Sequence, residues 1–316
     1  MLSLAMIVRD EQDGLGSVLT QASEFCDELV VVDTGSQDDT VSIAREHGAT
    51  VHEIEWPDSF CKARNYALDQ THGEWVMHLD GHDFLPEATV EGLKRLPFAR
   101  LDPYDAVQLP MSIVDEVGKP LLTYPRERIT RRHLRWQYDA HTVISPSKPV
   151  YYPYPIHTAQ RTGNKPKRAL EVLEKAYAAG DRTPRTVFYL ARERFWSRQY
   201  AEAIPAYLEW LAMSPVAWEK YSGLLDLAAS YECTGDLVKA TEMRFAAVGV
   251  APSRADAWAA LGIAASSRQQ WADALMYYTA AAQATKPTSG FVVEVWYSDY
   301  PKQQAQRCRQ MLEEQS

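Results

Sequence analysis

The chain opens on an unbroken apolar run, LSLAMIV (2–8), bounded by the charged cluster RDEQD. A run of this length with no helical period predicts a buried strand. Residues 13–25 place apolar positions at helical spacing and predict a helix. ELVVVD (28–33) predicts a second buried strand that ends in the turn cluster Asp-Thr-Gly-Ser. Asp38 starts the next helix, which runs through Arg45 and ends at Gly48. THGEWVMHLD predicts a further strand ending at Asp80. Strands alternating with helices predict a mostly parallel sheet covered on both faces. Ligands in such sheets sit beyond the carboxyl ends of the strands. Arg9, Asp33 and Asp80 stand at those ends.

The pattern changes in the second half, where a 34-position frame recurs. One frame places Trp258, Leu261, Gly262, Ala274, Tyr278 and Ala281 at positions 4, 7, 8, 20, 24 and 27. A frame starting 34 residues earlier holds Leu224, Leu227, Ala228, Tyr231, Ala240, Ala247 and Pro252. A third, 37 residues before that, holds Leu190, Ala191, Ala203, Tyr207, Trp210 and Pro215. Small residues at fixed positions let paired helices approach, and large ones fill the gaps. The pattern resembles the tetratricopeptide repeat, a helix–turn–helix unit that buries its faces only by stacking. Residues 167–181 fit the second helix of an incomplete preceding unit, and the tail fits an irregular link followed by a capping helix.

Composition narrows the class. With 316 residues, 46% hydrophobic and 24% charged, the chain has material for two packed domains. Four cysteines (Cys26, Cys61, Cys233, Cys308) show no zinc-ligand spacing and read as small buried hydrophobes in a reducing compartment. No targeting segment or membrane span is evident, which makes the cytoplasm the expected location.

The net charge of −9 is unevenly spread. Residues 119–198 hold 17 Lys and Arg against six Asp and Glu. Their aromatics interleave with the charges, a pattern that suits a nucleic-acid strand.

The stretch MIVRDEQD…LVVVDTGSQDDT…KARNYAL…WVMHLDGHDF resembles the nucleotide-sugar-binding half of family 2 glycosyltransferases, over residues 2–90 closely and 120–175 loosely. The resemblance implies an α/β GT-A domain with a Rossmann-like mixed sheet (1–163), followed by an all-α tetratricopeptide-repeat solenoid (164–316). It implies an inverting hexosyltransferase that uses a nucleotide-sugar, expected to be a UDP-sugar. Asp33 would accept from the uracil or the ribose. Val8 and Glu11 would flank the base, and Arg64 and Asp80 would lie near the diphosphate. Asp38 reads as a helix cap rather than a ligand.

The metal motif of the family, D-x-D, appears here as Asp80-Gly81-His82, followed by Asp83. The resemblance then makes Asp80, His82 and His157 the metal ligands, with the imidazoles favouring Mn²⁺ over Mg²⁺. Inverting transfer needs a base. Asp83, Asp115 and Asp139 are open candidates, and His141 is a further one, although the Glu that often follows it in the family is Thr142 here.

Arg128, Arg131, Arg132, Arg135 and Trp136 form the expected acceptor surface. The acceptor would then be a hydroxymethylated pyrimidine in DNA. Alternatives are a peptide or protein acceptor at Ser, Thr or Cys, held by the repeats, and an inactive transferase kept as a scaffold. Oligomeric state stays open.

Overall fold

The computed structural model describes residues 1–159, 168–287 and 292–315. The chain divides into two compact units, Met1–Gly163 and Asn164–Ser316.

The first unit is built on a mixed sheet. Its strands are β1 (Leu2–Val8), β2 (Glu28–Asp33), β3 (Thr50–Glu53), β4 (Trp75–His78), β5 (Asp83–Phe84), β6 (Ala106–Val114), β7 (Pro120–Arg131), β8 (Pro149–Tyr151) and β9 (Ile156–Ala159). The order is β3-β2-β1-β4-β7-β6-β9-β5, with β8 also on β6. The half from β3 to β4 is parallel, whereas β7 runs antiparallel to both β4 and β6. β1 and β2 occupy the segments their apolar runs predict. β4 stops two residues short of Asp80, because the chain turns there into β5.

Helices α1 (Leu15–Ser23), α2 (Thr40–Glu46), α3 (Phe60–Asp69) and α4 (Glu87–Lys94) cover the sheet. Both faces are buried, as a parallel sheet requires. Leu4, Met6 and Val8 of β1 share a core cluster with Leu15, Val18 and Leu19 of α1. Ala5 packs with Ala67 and Leu68 of α3. Alternate β1 residues thus hold helices on opposite faces. The N-cap of α2 is Asp39, without a side-chain cap bond, and Asp38 one residue earlier accepts the Thr40 N–H at 3.0 Å. Gly48, at φ 77°, ends that segment in a conformation other residues avoid.

The second unit is all helical in its main elements. They are α5 (Arg168–Ala178), α6 (Pro184–Trp196), α7 (Tyr200–Ala212), α8 (Ala217–Cys233), α9 (Leu237–Val250), α10 (Ala255–Ser267), α11 (Trp271–Gln283) and α12 (Tyr300–Glu314). The repeat frames fall on the pairs α6–α7, α8–α9 and α10–α11, which pack as hairpins. Frame-position residues fill the centres: Tyr207, Trp210, Ala203 and Leu227 are fully buried. The small position in the last frame has a steric cause. A Cβ on Gly262 would meet the Tyr278 ring at 2.9 Å, and that ring is 2% exposed. No described helix is long and apolar enough to cross a membrane.

Two predictions follow from this packing. Gly262→Ala should lower stability by about 1–3 kcal/mol through overpacking, read as a shifted urea midpoint.

The second concerns His78, buried in β4 at 1% exposure with Nε2 2.9 Å from Thr130 Oγ1. Burial, then the Arg64 and Arg128 charges, pushes its imidazole down to about 3. The folded chain therefore keeps His78 neutral, and the unfolded chain protonates it below about pH 6.5. Stability from this residue is present above that pH and is lost as pH falls toward 3. Between pH 7 and pH 5 the loss should be about 2 kcal/mol. His78→Gln should flatten the pH dependence of the urea midpoint over this range; an unchanged slope would contradict the assignment.

Candidate active site

Beyond the carboxyl end of β4, the chain turns through Asp80-Gly81-His82-Asp83. The turn locks itself. The Asp80 N–H donates to Asp83 Oδ2 at 2.9 Å, and the Asp83 N–H donates to the Asp80 carbonyl at 3.0 Å. Gly81 is required by close approach: a Cβ there would lie 2.9 Å from Glu11 Cγ. That contact brings Glu11 beside His82, with Nδ1 and Oε1 3.5 Å apart. The sequence assigned Glu11 to the base and His82 to a metal; the structure brings the two together.

Three arginines surround this turn. Arg64 projects from α3, and its Nη2 donates to Asp80 Oδ1 at 2.8 Å. Arg128 comes from β7 and is 3% exposed. Its Nη1 donates to the His78 carbonyl at 3.0 Å and lies 3.4 Å from Asp83 Oδ2 and 3.7 Å from Asp80 Oδ2. Its Nε contacts Met111 Sδ at 3.0 Å. Arg126, two residues earlier on the same strand, also acts electrostatically on Asp80.

Burial alone would raise the Asp80 pKa. The Arg64 and Arg128 charges overcome it and hold this carboxyl well below the ordinary range. Asp83 behaves oppositely: burial and the Asp80 charge push it up despite Arg128. Asp80 is thus a fixed anion, 29% exposed at the side chain, and Asp83 is an enclosed partner at 1%.

Trp136 forms one wall of the site. It is 5% exposed, with Arg64 4.7 Å above its ring and His78 edge-on at 5.0 Å. Asn65 fixes its backbone, accepting from the Trp136 N–H at 2.9 Å and donating to its carbonyl at 3.0 Å. The following loop is tied to α3. The Phe60 N–H donates to the Asp139 carbonyl at 2.8 Å, and Ser59, which caps α3, donates to the Asp139 carboxylate. His141 lies in this loop with φ at 48°.

Several candidate residues are engaged in local contacts. Asp33 is 3% exposed, and its Oδ2 accepts the Gly35 and Ser36 N–H groups at 2.9 Å each. It holds the loop that follows β2. The Val8 carbonyl is taken by the N–H and hydroxyl of Thr34. Asp115 accepts from Val117 and Lys119 in the β6–β7 turn.

The three-ligand metal set does not assemble either. Among the described residues no three His, Cys, Asp or Glu side chains converge on one point. His157 sits on β9 opposite Phe84, and their ring centroids are 6.4 Å apart.

The acceptor surface is also divided. Arg128 and Trp136 are buried at the Asp80 turn. Arg131 lies at the far end of β4, stacked on Trp75 and paired with Glu74 and Asp102. Arg132 donates to the Thr71 carbonyl, and Arg135 pairs with Asp69. Arg131 and Arg135 are thus paired with neighbouring acids, and Arg132 is bonded to backbone. Residues 161–167 of the basic block lie outside the described residues.

Residues 3–151 match the family described as Glycosyl transferase family 2. A TPR repeat-containing protein of Synechococcus elongatus is 44% identical over 84 residues, 27% of this chain and 21% of that protein. An uncharacterized glycosyltransferase of Rickettsia conorii is 27% identical over 133 residues, 41% of this chain and 46% of that one. The chain therefore spans less than half the length of these curated relatives.

Among solved structures, S. aureus TarS (1–349) in complex with UDP-GlcNAc aligns with TM-score 0.46 and 16% identity, covering 78% of this chain and 92% of that one. The first unit carries the match to a family 2 glycosyltransferase domain. The helical part that follows is a tetratricopeptide-repeat array.

Arg128 gives a sharp test of the site's assembly. Arg128→Met should cost about 3–5 kcal/mol, because it leaves Asp83 buried without its cation. Adding Asp83→Asn should recover part of that loss in a double-mutant cycle; additive losses would show that the two do not interact.

Proposed function

We propose that the chain transfers a sugar from a nucleotide-sugar, UDP serving as the nucleotide, to a hydroxyl acceptor. The observation that carries this reading is the ionised Asp80, set at the end of β4 between Arg64 and Arg128 inside a family 2 domain. A nucleotide-sugar donor brings a diphosphate that must leave as an anion. Cationic groups fixed around its position favour the transition state, in which that charge develops.

Asp80 and His82 suit a divalent cation held mainly by donor phosphates and water. One carboxylate and one imidazole, two residues apart on a half-buried turn, are a sufficient protein share for Mn²⁺ or Mg²⁺. Such an ion would neutralise the leaving diphosphate when bound. Arg64 fixes the Asp80 carboxylate, and Glu11 orients the His82 ring. Trp136 shields Arg64 from water on one side, which strengthens its field.

Asp83 is too enclosed to reach an acceptor. Of the proposed bases, Asp139 is the exposed carboxylate on the loop that begins at Trp136, and the base role falls to it.

The nucleic-acid reading stood on the basic block, and the pairing of Arg131 and Arg135 with acids weakens its support. The acceptor is accordingly proposed only as a hydroxyl group, with DNA, peptide and glycan acceptors to be compared directly.

The test is transfer from a panel of UDP-sugars with Mn²⁺ to hydroxymethylated DNA, Ser/Thr peptides and oligosaccharides, read by mass spectrometry. One donor should yield a hexose mass increment or slow UDP release. Asp80→Ala should reduce either signal at least about a hundredfold, in keeping with loss of one transition-state contact, while leaving the circular dichroism spectrum unchanged. Absence of turnover with every donor would support the scaffold reading instead.

A further inference from the structure

The loop that follows Trp136 is held more firmly than an exposed loop needs to be. Gln137 and Val143 exchange backbone hydrogen bonds across its base, at 2.9 and 3.3 Å. Between them, Ala140 and Thr142 are buried at 5% each, and Asp139 is exposed. Tyr138 and His141, on either side of Asp139, take positive φ values of 69° and 48°. Residues other than glycine keep such a conformation only where their surroundings impose it.

The surroundings here are the first turns of α3. The Phe60 N–H donates to the Asp139 carbonyl at 2.8 Å. The Cys61 thiol and the Asn65 amide both donate to the Trp136 carbonyl at 3.0 Å. Ser59 reaches furthest along the loop, and its hydroxyl donates to Asp139 Oδ1. The Ser59 oxygen in turn accepts the Lys62 N–H at 3.1 Å, and the residue is 1% exposed. A hydroxyl has one proton and two lone pairs. With the Lys62 N–H on the oxygen and water kept away, the proton is directed to the carboxylate. Aspartate would cap α3 as well, but it has no proton to give Asp139. α3 also carries Arg64, which holds Asp80. Five residues separate Ser59 from Arg64, about 7.5 Å of helix rise. One rigid element therefore fixes both the carboxylate of the Asp80 turn and the carboxylate of the loop.

Resting on the assignment of Asp139 as the base, we propose that Ser59 is a positioning residue for that base. Its hydroxyl holds Oδ1, fixes the plane of the carboxylate and leaves Oδ2 to the acceptor. In the step this serves, the acceptor O–H proton passes to Asp139 Oδ2. The acceptor oxygen bonds the anomeric carbon as the bond from that carbon to the β-phosphate oxygen breaks, and UDP leaves with the electron pair.

The test is UDP release by the full chain from UDP-glucose, UDP-galactose and UDP-N-acetylglucosamine with Mn²⁺, first with water as the acceptor and then with sodium azide. Azide attacks the anomeric carbon without losing a proton, so its reaction needs no base. Each donor that wild type turns over is carried through the variants. Asp139→Asn should lower kcat with water at least about a hundredfold. Ser59→Ala should lower it at least about tenfold, the cost of one hydrogen bond to a charged group. KM for the donor should stay at the wild-type value in both. Azide should bring both variants to the wild-type rate in azide. Ser59→Thr keeps the hydroxyl and should retain most of the rate with water. Thr183→Ala, which removes the side-chain cap of α6 in the second unit, should leave every rate unchanged.

Wild-type kcat with water in Ser59→Ala, beside a loss in Asp139→Asn, would overturn the proposal and leave Asp139 as the base. A loss in Ser59→Ala that azide does not repair, or that falls on KM, would overturn it too, because it marks a structural role. Wild-type turnover by Asp139→Asn would overturn the base assignment and this proposal with it. Absence of UDP release by wild type from all three donors, in water and in azide, would overturn the donor reading beneath both.

Discussion

The structure of the site depends on one buried cation. Arg128 crosses from β7 beneath the turn after β4 and touches the His78 carbonyl, Asp83 and Asp80. A guanidinium inside a domain is unfavourable unless its charge and donors are met. Meeting them draws the end of β4, the following turn and β7 into one arrangement. β7 is also the strand on which the sheet changes from parallel to antiparallel. The same residue therefore joins the half that resembles a nucleotide-binding fold to the hairpin half beyond it.

From that cation outward, the neighbouring residues act by constraint. Gly81 lets Glu11 approach, Glu11 meets His82, and Asn65 pins Trp136 against Arg64. Each contact restricts a side chain whose reach would otherwise be wide. The outcome is an anionic point, Asp80, ringed by cations. Such an arrangement suits a diphosphate-bearing donor, because fixed cationic groups can converge on its phosphates.

Much of the fold was legible from pattern alone. β1 and β2 lie where their apolar runs placed them, and the repeat frames fall on the helix pairs because small residues at fixed spacing have a steric cause, as Gly262 shows. The site was legible in type but less so in role. Asp33 and Asp80 both end strands and read alike in sequence. Only the structure shows that Asp33 is consumed by the Gly35–Ser36 turn, since backbone donors leave no sequence signal. The run 126–136 read as one basic block because linear counting ignores which way each residue faces and where it falls along a strand. Position along β7 separates Arg126 and Arg128, at the Asp80 turn, from Arg131, at its opposite end. The acids that neutralise the latter, Glu74 and Asp102, are distant in sequence and so were invisible to it.

That separation along β7 has an electrical consequence. Arg131 follows Arg128 by three residues, roughly 10 Å of strand, and exposed charge at that end is screened by salt over about 8 Å. The cleft lined by Arg131, Arg132, His133 and Lys148 is thus weakly coupled to the field at Asp80. Surface charge at that end can vary, by drift or by engineering, without retuning the potential that a bound nucleotide would feel. The long strand works as a spacer between two weakly coupled ends of one sheet.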